Sequence, residues 1–251
     1  MKIPRRYLDF VGILLFMAFI ITGVFASPLP PTITILKNET GPATTATQFL
    51  NTSGGSITTI ILNASTQNLK WKAFVGNITG TLTLDDASGY TIFDWGTTTV
   101  TGQVYVTPSP SSINWDRMNC TWFVTGNPAN RSVEEYENKL MNHTSPNDNI
   151  TATFKQRNHT AFYVSNTYIS QNTCYSINTF INSTAQNSRF QEVLLYDGTN
   201  TTNGNIVYTG ILEQDQHGFD NETYDFQIIV PENGAQGFRS STPYYFYAEL
   251  V

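Results

Sequence analysis

Three histidines, two cysteines and a scatter of acidic pairs are the residues of this 251-residue chain that could do chemistry. Nucleophilic catalysis needs a base beside its nucleophile. His143 and His159 fall inside Asn-x-Thr triplets and His217 lies in DQHGFD, all in amide- and hydroxyl-rich company, so the three read as solvated loop residues. No GxSxG, HExxH or phosphate-loop pattern occurs, which removes the common hydrolase and nucleotide-enzyme signatures. Carboxylates for glycoside hydrolysis are available at Asp85/Asp86, Asp94, Glu134/Glu135, Glu213/Asp215 and Asp220/Glu222. Turn and surface roles account for each, and the chain is read as a non-enzyme without catalytic residues. Residues 213–222, EQDQHGFDNE, offer hard oxygen ligands for calcium at Asp215, Asp220 and Glu222, without the spacing of an EF-hand. No other cofactor is implied.

A different chemistry is written in the asparagines. Asn-x-Ser/Thr occurs 12 times, at Asn38, Asn51, Asn63, Asn77, Asn119, Asn130, Asn142, Asn149, Asn158, Asn182, Asn200 and Asn221, where this composition would give about five by chance. A glycan must project into solvent, so used sites mark the outward face. Asn119 is the exception, because it adjoins Cys120 and Trp122, residues that favour burial. The first 26 residues suit the machinery such modification requires. Lys2, Arg5 and Arg6 form a basic start, residues 10–25 are apolar, and Val24-Phe25-Ala26 fits a cleavage site. The segment 1–26 is therefore an export signal or, uncleaved, an N-terminal anchor whose residues 10–26 are the one membrane contact. Export into an oxidising compartment makes a Cys120–Cys174 bridge the economical expectation, free buried thiols being the alternative. In the chain-entropy model such a bridge contributes about 4 kcal/mol.

Charged residues are 13% of the chain and the net charge is −6, against about a quarter charged in ordinary domains. That balance argues against nucleic acid, whose phosphates need Lys and Arg. With 36 Thr, 17 Ser and 24 Asn, the surface is built from uncharged polar groups suited to half-exposed strands and turns.

The elements that must position these residues are strands. Residues 27–50 are Pro- and Thr-rich and read as a linker, within which 32–36 (TITIL) alternates like a short strand. From Ser56 onward the pattern has period two: SITTIILN, KWKAFVG, GTLTLDD, YTIFDW and GQVYVTP, then HTAFYVSN, TCYSINTFI, FQEVLLYDG, NIVYTGILE, YDFQIIVP and PYYFYAELV. DDASG reads as a hairpin turn with Gly89 at positive φ. The prolines of residues 107–112 mark a possible subdivision. One helix is expected over 130–142, with Ser132 and Glu135 as a capping box and Val133, Tyr136, Leu140 and Met141 on its buried face. Trp71, Phe74, Phe93, Trp95, Trp115 and Trp122 could line a saccharide platform, but alternation favours the core and places Trp71, Ala73 and Val75 on one inward face. The fold class is all-β: an antiparallel β-sandwich over 51–251, as one unit or as two packed subdomains, with one short surface helix.

WKAFVGNITGTLTLDDASG…FDW at residues 71–95 and IVPENG…YYFYAEL at 229–250 resemble a group of exported archaeal surface proteins of undefined activity. The resemblance implies a cell-surface or secreted β-domain in a context where N-glycosylation is usual, and it carries over no site residue. The expectation is a structural or adhesive envelope protein that meets other envelope proteins or copies of itself. The rivals are a filament subunit that donates residues 32–36 as a strand and a carbohydrate-binding module or hydrolase.

Overall fold

The computed structural model describes residues 27–41, 51, 53–62, 68–81, 83–96, 100–110, 112–121, 133–143, 145, 147–198, 204–233 and 241–251. The first 26 residues, and with them the signal or anchor segment, lie outside the described residues. Short strands dominate: β1 (Trp71–Gly76), β2 (Thr83–Asp85), β3 (Thr91–Asp94), β4 (Gly102–Thr107) and β5 (Asn119–Cys120). Two helices follow, α1 (Val133–Leu140) and the single turn α2 (Ile150–Thr153). The rest are β6 (Phe162–Val164), β7 (Thr167–Ile169), β8 (Ser176–Asn178), β9 (Gln191–Tyr196), β10 (Ile206–Ile211), β11 (Gln216–His217), β12 (Thr223–Tyr224), β13 (Phe226–Pro231) and β14 (Tyr245–Leu250).

The centre is a six-stranded antiparallel sheet ordered β14-β4-β10-β9-β5, with β8 also on β9. β4, β9 and β10 are buried along nearly their whole length, so their near-continuous apolar runs report two covered faces. One face carries Val104, Val106, Leu194, Tyr208 and Leu212 and meets Ile228 and Val230 of the β1–β13 pair together with Phe154 below α2. The other carries Tyr105, Val193, Leu195 and Val207 and is covered by the β6–β7 hairpin and Met118. The all-β sandwich is thus present, and strands from before and after residues 107–112 share its main sheet. Gly102 matters here because its φ is +134° and a Cβ would meet the carbonyl of Glu249, so only glycine lets β14 close on β4.

β5 and β8 divide the outer edge of β9 between them, pairing with its last and first residues respectively. The Cys120–Cys174 disulfide, with Cα atoms 4.8 Å apart, ties these two half-strands together.

Three local expectations are overturned. Residues 56–62 and 32–36, patterned as strands, are exposed and outside any strand, because alternation states which way side chains would face but supplies no partner edge. Of the face expected for α1, Val133 and Met141, just past its end, are buried, but Tyr136 and Leu140 are exposed and Glu134 and Glu137 are buried instead. The helix is rotated from the expected apolar face toward Tyr196, Tyr208 and Tyr244, beside which the glutamates lie. Ser132 of the capping box lies outside the described residues. In β1 it is Phe74 that faces the core, against Phe246 at 5.0 Å, while Ala73 is exposed. The large ring takes the side with more surface to bury, and Trp71, at the strand's start, turns to Phe154 and His143.

Candidate functional site

One apolar surface of the sandwich lies between β14 and β1, where Phe74, Tyr244, Phe246 and Leu250 are only partly buried. β14 is the last strand of its sheet, and Phe246 and Tyr244 meet Phe74 there with centroids at 5.0 and 6.4 Å. The chain's N-terminal arm crosses this opening. Leu29 exchanges two backbone hydrogen bonds with Ala248, 3.0 and 2.8 Å, and farther on Lys72 Nζ donates to Asn38 Oδ1 at 3.1 Å. Between these anchors Ile33, Ile35 and Leu36 are 58%, 80% and 93% exposed. Ile57, Ile60, Ile61 and Leu62 are exposed as well.

A second apolar surface stands on the β2–β3 hairpin. Asp86 accepts from the backbone N–H groups of Ser88 and Tyr90, 2.8 and 2.9 Å, and Gly89 has φ +81°, so the DDASG turn forms as read from sequence. Leu84 pairs with Phe93, and the Phe93 and Trp95 rings lie 5.0 Å apart, all three more than half exposed. The inward expectation holds for Trp71, Phe74 and Trp115, which pack on the two cores. It fails for Phe93 and Trp95, because no second layer covers the two-stranded hairpin among the described residues. Trp122 lies outside the described residues.

The titratable residues are placed structurally. His159 is buried and fixed as a neutral tautomer: its Nδ1–H donates to Thr160 O at 2.8 Å while Nε2 accepts the Cys174 N–H at 2.9 Å. Burial lowers its pKa. His143 is buried too, with Nε2 2.8 Å from the Glu232 carbonyl. Of the three histidines read as solvated, only His217 is exposed; the other two were misjudged because sequence neighbours do not reveal what packs above a loop. Asp94 accepts from Gly96 N, and Glu213 pairs with Arg189 at 3.4 Å. A cleft of about 330 Å³ between β4, β10 and β6 is lined by residues including Gln103, Phe162, Tyr163 and Leu212, with neither a carboxylate nor an imidazole side chain.

The calcium candidates fall on the β11–β12 hairpin. Asp220 Oδ1 accepts the Glu222 N–H at 3.1 Å and Oδ2 the Tyr224 hydroxyl at 3.0 Å. Asp215 donates its N–H to the buried Asp225, whose other oxygen accepts from Ile78 N. Among the described residues no cluster of three His, Cys, Asp or Glu side chains is arranged to hold a metal ion.

The sequons separate into classes. Asn38, Asn51, Asn77, Asn142, Asn182 and Asn221 are exposed, the last three in left-handed turns. Asn149 is half-buried and caps α2 through its oxygen, accepting from Ala152 N at 2.7 Å. Asn158 spends its amide nitrogen on Asn178 Oδ1 and Asn187 O, and Asn119, although exposed, spends its own on Arg117 O. Asn63, Asn130 and Asn200 lie outside the described residues.

What sequence reading missed is a set of buried carboxyls. Glu192 is fully buried on β9 and accepts the Ile229 N–H of β13 at 2.9 Å. Glu249 accepts from the Tyr105 hydroxyl at 2.7 Å and from Ser165 N at 3.0 Å. Burial raises both pKa values. The available signal was a lone glutamate inside an otherwise apolar strand, FQEVLLY and YAELV. Comparison of the chain with protein-family models, with characterised proteins and with solved structures finds no match.

Proposed function

We propose that the chain is an exported, N-glycosylated structural protein of the cell surface that acts by associating with copies of itself through its N-terminal arm. The observation that carries this reading is the arm: a proline-punctuated stretch whose isoleucines and leucine are exposed in their own molecule, as a strand donated to another sheet would be. The exposed sequons and the uncharged, Thr- and Asn-rich surface support the exported location. The resemblance to archaeal surface proteins agrees with it.

Deleting residues 28–36 from the purified protein tests the association. Assemblies in the intact protein and monomers after deletion support the reading; monomers in both cases end it. Intact mass of protein recovered from cells tests the location. A chain starting near Ser27 and heavier by several glycans is expected, and an unmodified chain retaining Met1 would count against export. The Phe93–Trp95 face favours a second reading, saccharide binding by ring stacking. A glycan array without saturable binding, with and without calcium, would remove it.

A further inference from the structure

If the arm donates a strand, the fold must offer an edge to receive it, and the prolines at the arm's start identify that edge. In an antiparallel strand, alternate residues turn their backbone groups to opposite sides. Ala248 bonds outward to Leu29, so Phe246, Ala248 and Leu250 face away from β4. The chain itself occupies one of these positions. Continued cis pairing would bring residue 31 opposite Phe246, and residue 31 is proline, without an N–H to donate; Pro28 and Pro30 flank Leu29 on either side. Cis pairing therefore does not extend from the Leu29 bridge toward Phe246. The arm then leaves the edge, reaches Lys72 on β1 through Asn38, and buries none of Ile33, Ile35 or Leu36.

Residues 32–36 have what the cis bridge lacks. Thr-Ile-Thr-Ile-Leu contains no proline, and when extended it puts Ile33 and Ile35 on one face and Thr32 and Thr34 on the other. Beside β14 one side is apolar, with Phe246 and Leu250 packed on the core near Phe74. The other side carries Tyr247 against Trp115.

Resting on the association reading above, we infer that the outer edge of β14 is the acceptor for residues 32–36 of a second copy. The incoming strand replaces the Leu29 bridge, extends the central sheet by one strand, and lays Ile33 and Ile35 over the opening between β14 and β1. Donor and acceptor are different surfaces of one chain, so the contact is heterologous and propagates head to tail.

Both native cysteines are joined in the disulfide, so an introduced cysteine is the one free thiol. Ile33→Cys protein is mixed with Ala248→Cys protein of different tag mass, oxidised, and the mixed dimer measured. Leu140→Cys, exposed on α1, serves as the control acceptor. The inference expects Ala248→Cys to capture Ile33→Cys several-fold more than the control does, and Ile35→Pro in the donor, which removes the N–H that would face Phe246, to abolish that excess while leaving the melting temperature unchanged. Association that requires residues 32–36 but cross-links equally to position 140 overturns the β14 acceptor and leaves the arm reading standing. Protein that sediments as a monomer at every concentration overturns both.

Discussion

At the residue scale the molecule is organised around carboxyl groups in places where ionised ones are expensive. Glu192 links the two layers of the sandwich through the Ile229 N–H, and burial holds it neutral well above the usual carboxylate range. Glu192→Gln keeps an acceptor of similar shape and is expected to change stability by under about 1 kcal/mol, whereas Glu192→Ala opens a cavity and orphans the N–H for about 3 kcal/mol. Urea denaturation of both variants checks this, and equal losses would deny the hydrogen bond its role. Asn158 gives a sharper prediction about modification. With its amide nitrogen already bonded to Asn178 and Asn187, it should stay bare in glycopeptide maps of protein recovered from cells in which Asn142, Asn182 or Asn221 is modified.

At the element scale, α1 docks with its acidic side inward. Burial raises the Glu137 carboxyl from an ordinary 4.5 to about 7. The groups around it are Tyr208 of β10, Tyr244 before β14, and the carboxyls of Glu134 and Glu192, which act on the same tyrosine. Because the folded-state value is the higher one, folded protein holds a proton that the unfolded chain has released. The stabilisation is whole below about pH 4.5 and is lost as pH rises through 7, a change of about 3 kcal/mol at most. Melting temperature should therefore fall between pH 5 and pH 8, with amide exchange in residues 133–140 speeding up first. Glu137→Gln should make both trends shallower, the raised Glu192 and Glu249 carboxyls keeping the remainder; a variant with the parent's pH profile would place the titrating group elsewhere. The disulfide belongs to this scale too. Reduction frees β5 and β8 from each other on the β9 edge and should cost about 4 kcal/mol in the chain-entropy model, read as a lower urea midpoint.

At the scale of the whole molecule, the central sheet is covered on both faces, while among the described residues the β14 edge carries only the Leu29 bridge and the arm's Ile33, Ile35 and Leu36 stay exposed. The arm is held by the Leu29 bridge, the buried Pro28, the Ser27–Ser165 contact and the Lys72–Asn38 hydrogen bond, so deleting residues 28–36 should cost monomer stability no more than about 2 kcal/mol. A large loss would mean that the arm is part of its own fold, contrary to a donor role. The Phe93–Trp95 face is independent of the arm, and Trp95→Ala should leave both stability and association unaltered, measured by melting and sedimentation.

The β4, β9, β10, β13 and β14 strands, the Asp86–Gly89 turn and the pairing of the only two cysteines were legible in the sequence, because each follows from local alternation, backbone preference or elimination. Tertiary structure alone decided which strands share a sheet, since β4 lies between β10 and β14, partners far along the chain. It also turned α1 onto its glutamates, buried His143 and His159, and left 32–36 and 56–62 outside every sheet. The physical reason is common to all of these: a local pattern states a side chain's preference for burial, but the neighbour that covers it, or the edge that pairs with it, comes from distant sequence. Along residues 32–36 no such neighbour lies among the described residues, and Ile33, Ile35 and Leu36 stay exposed despite their pattern.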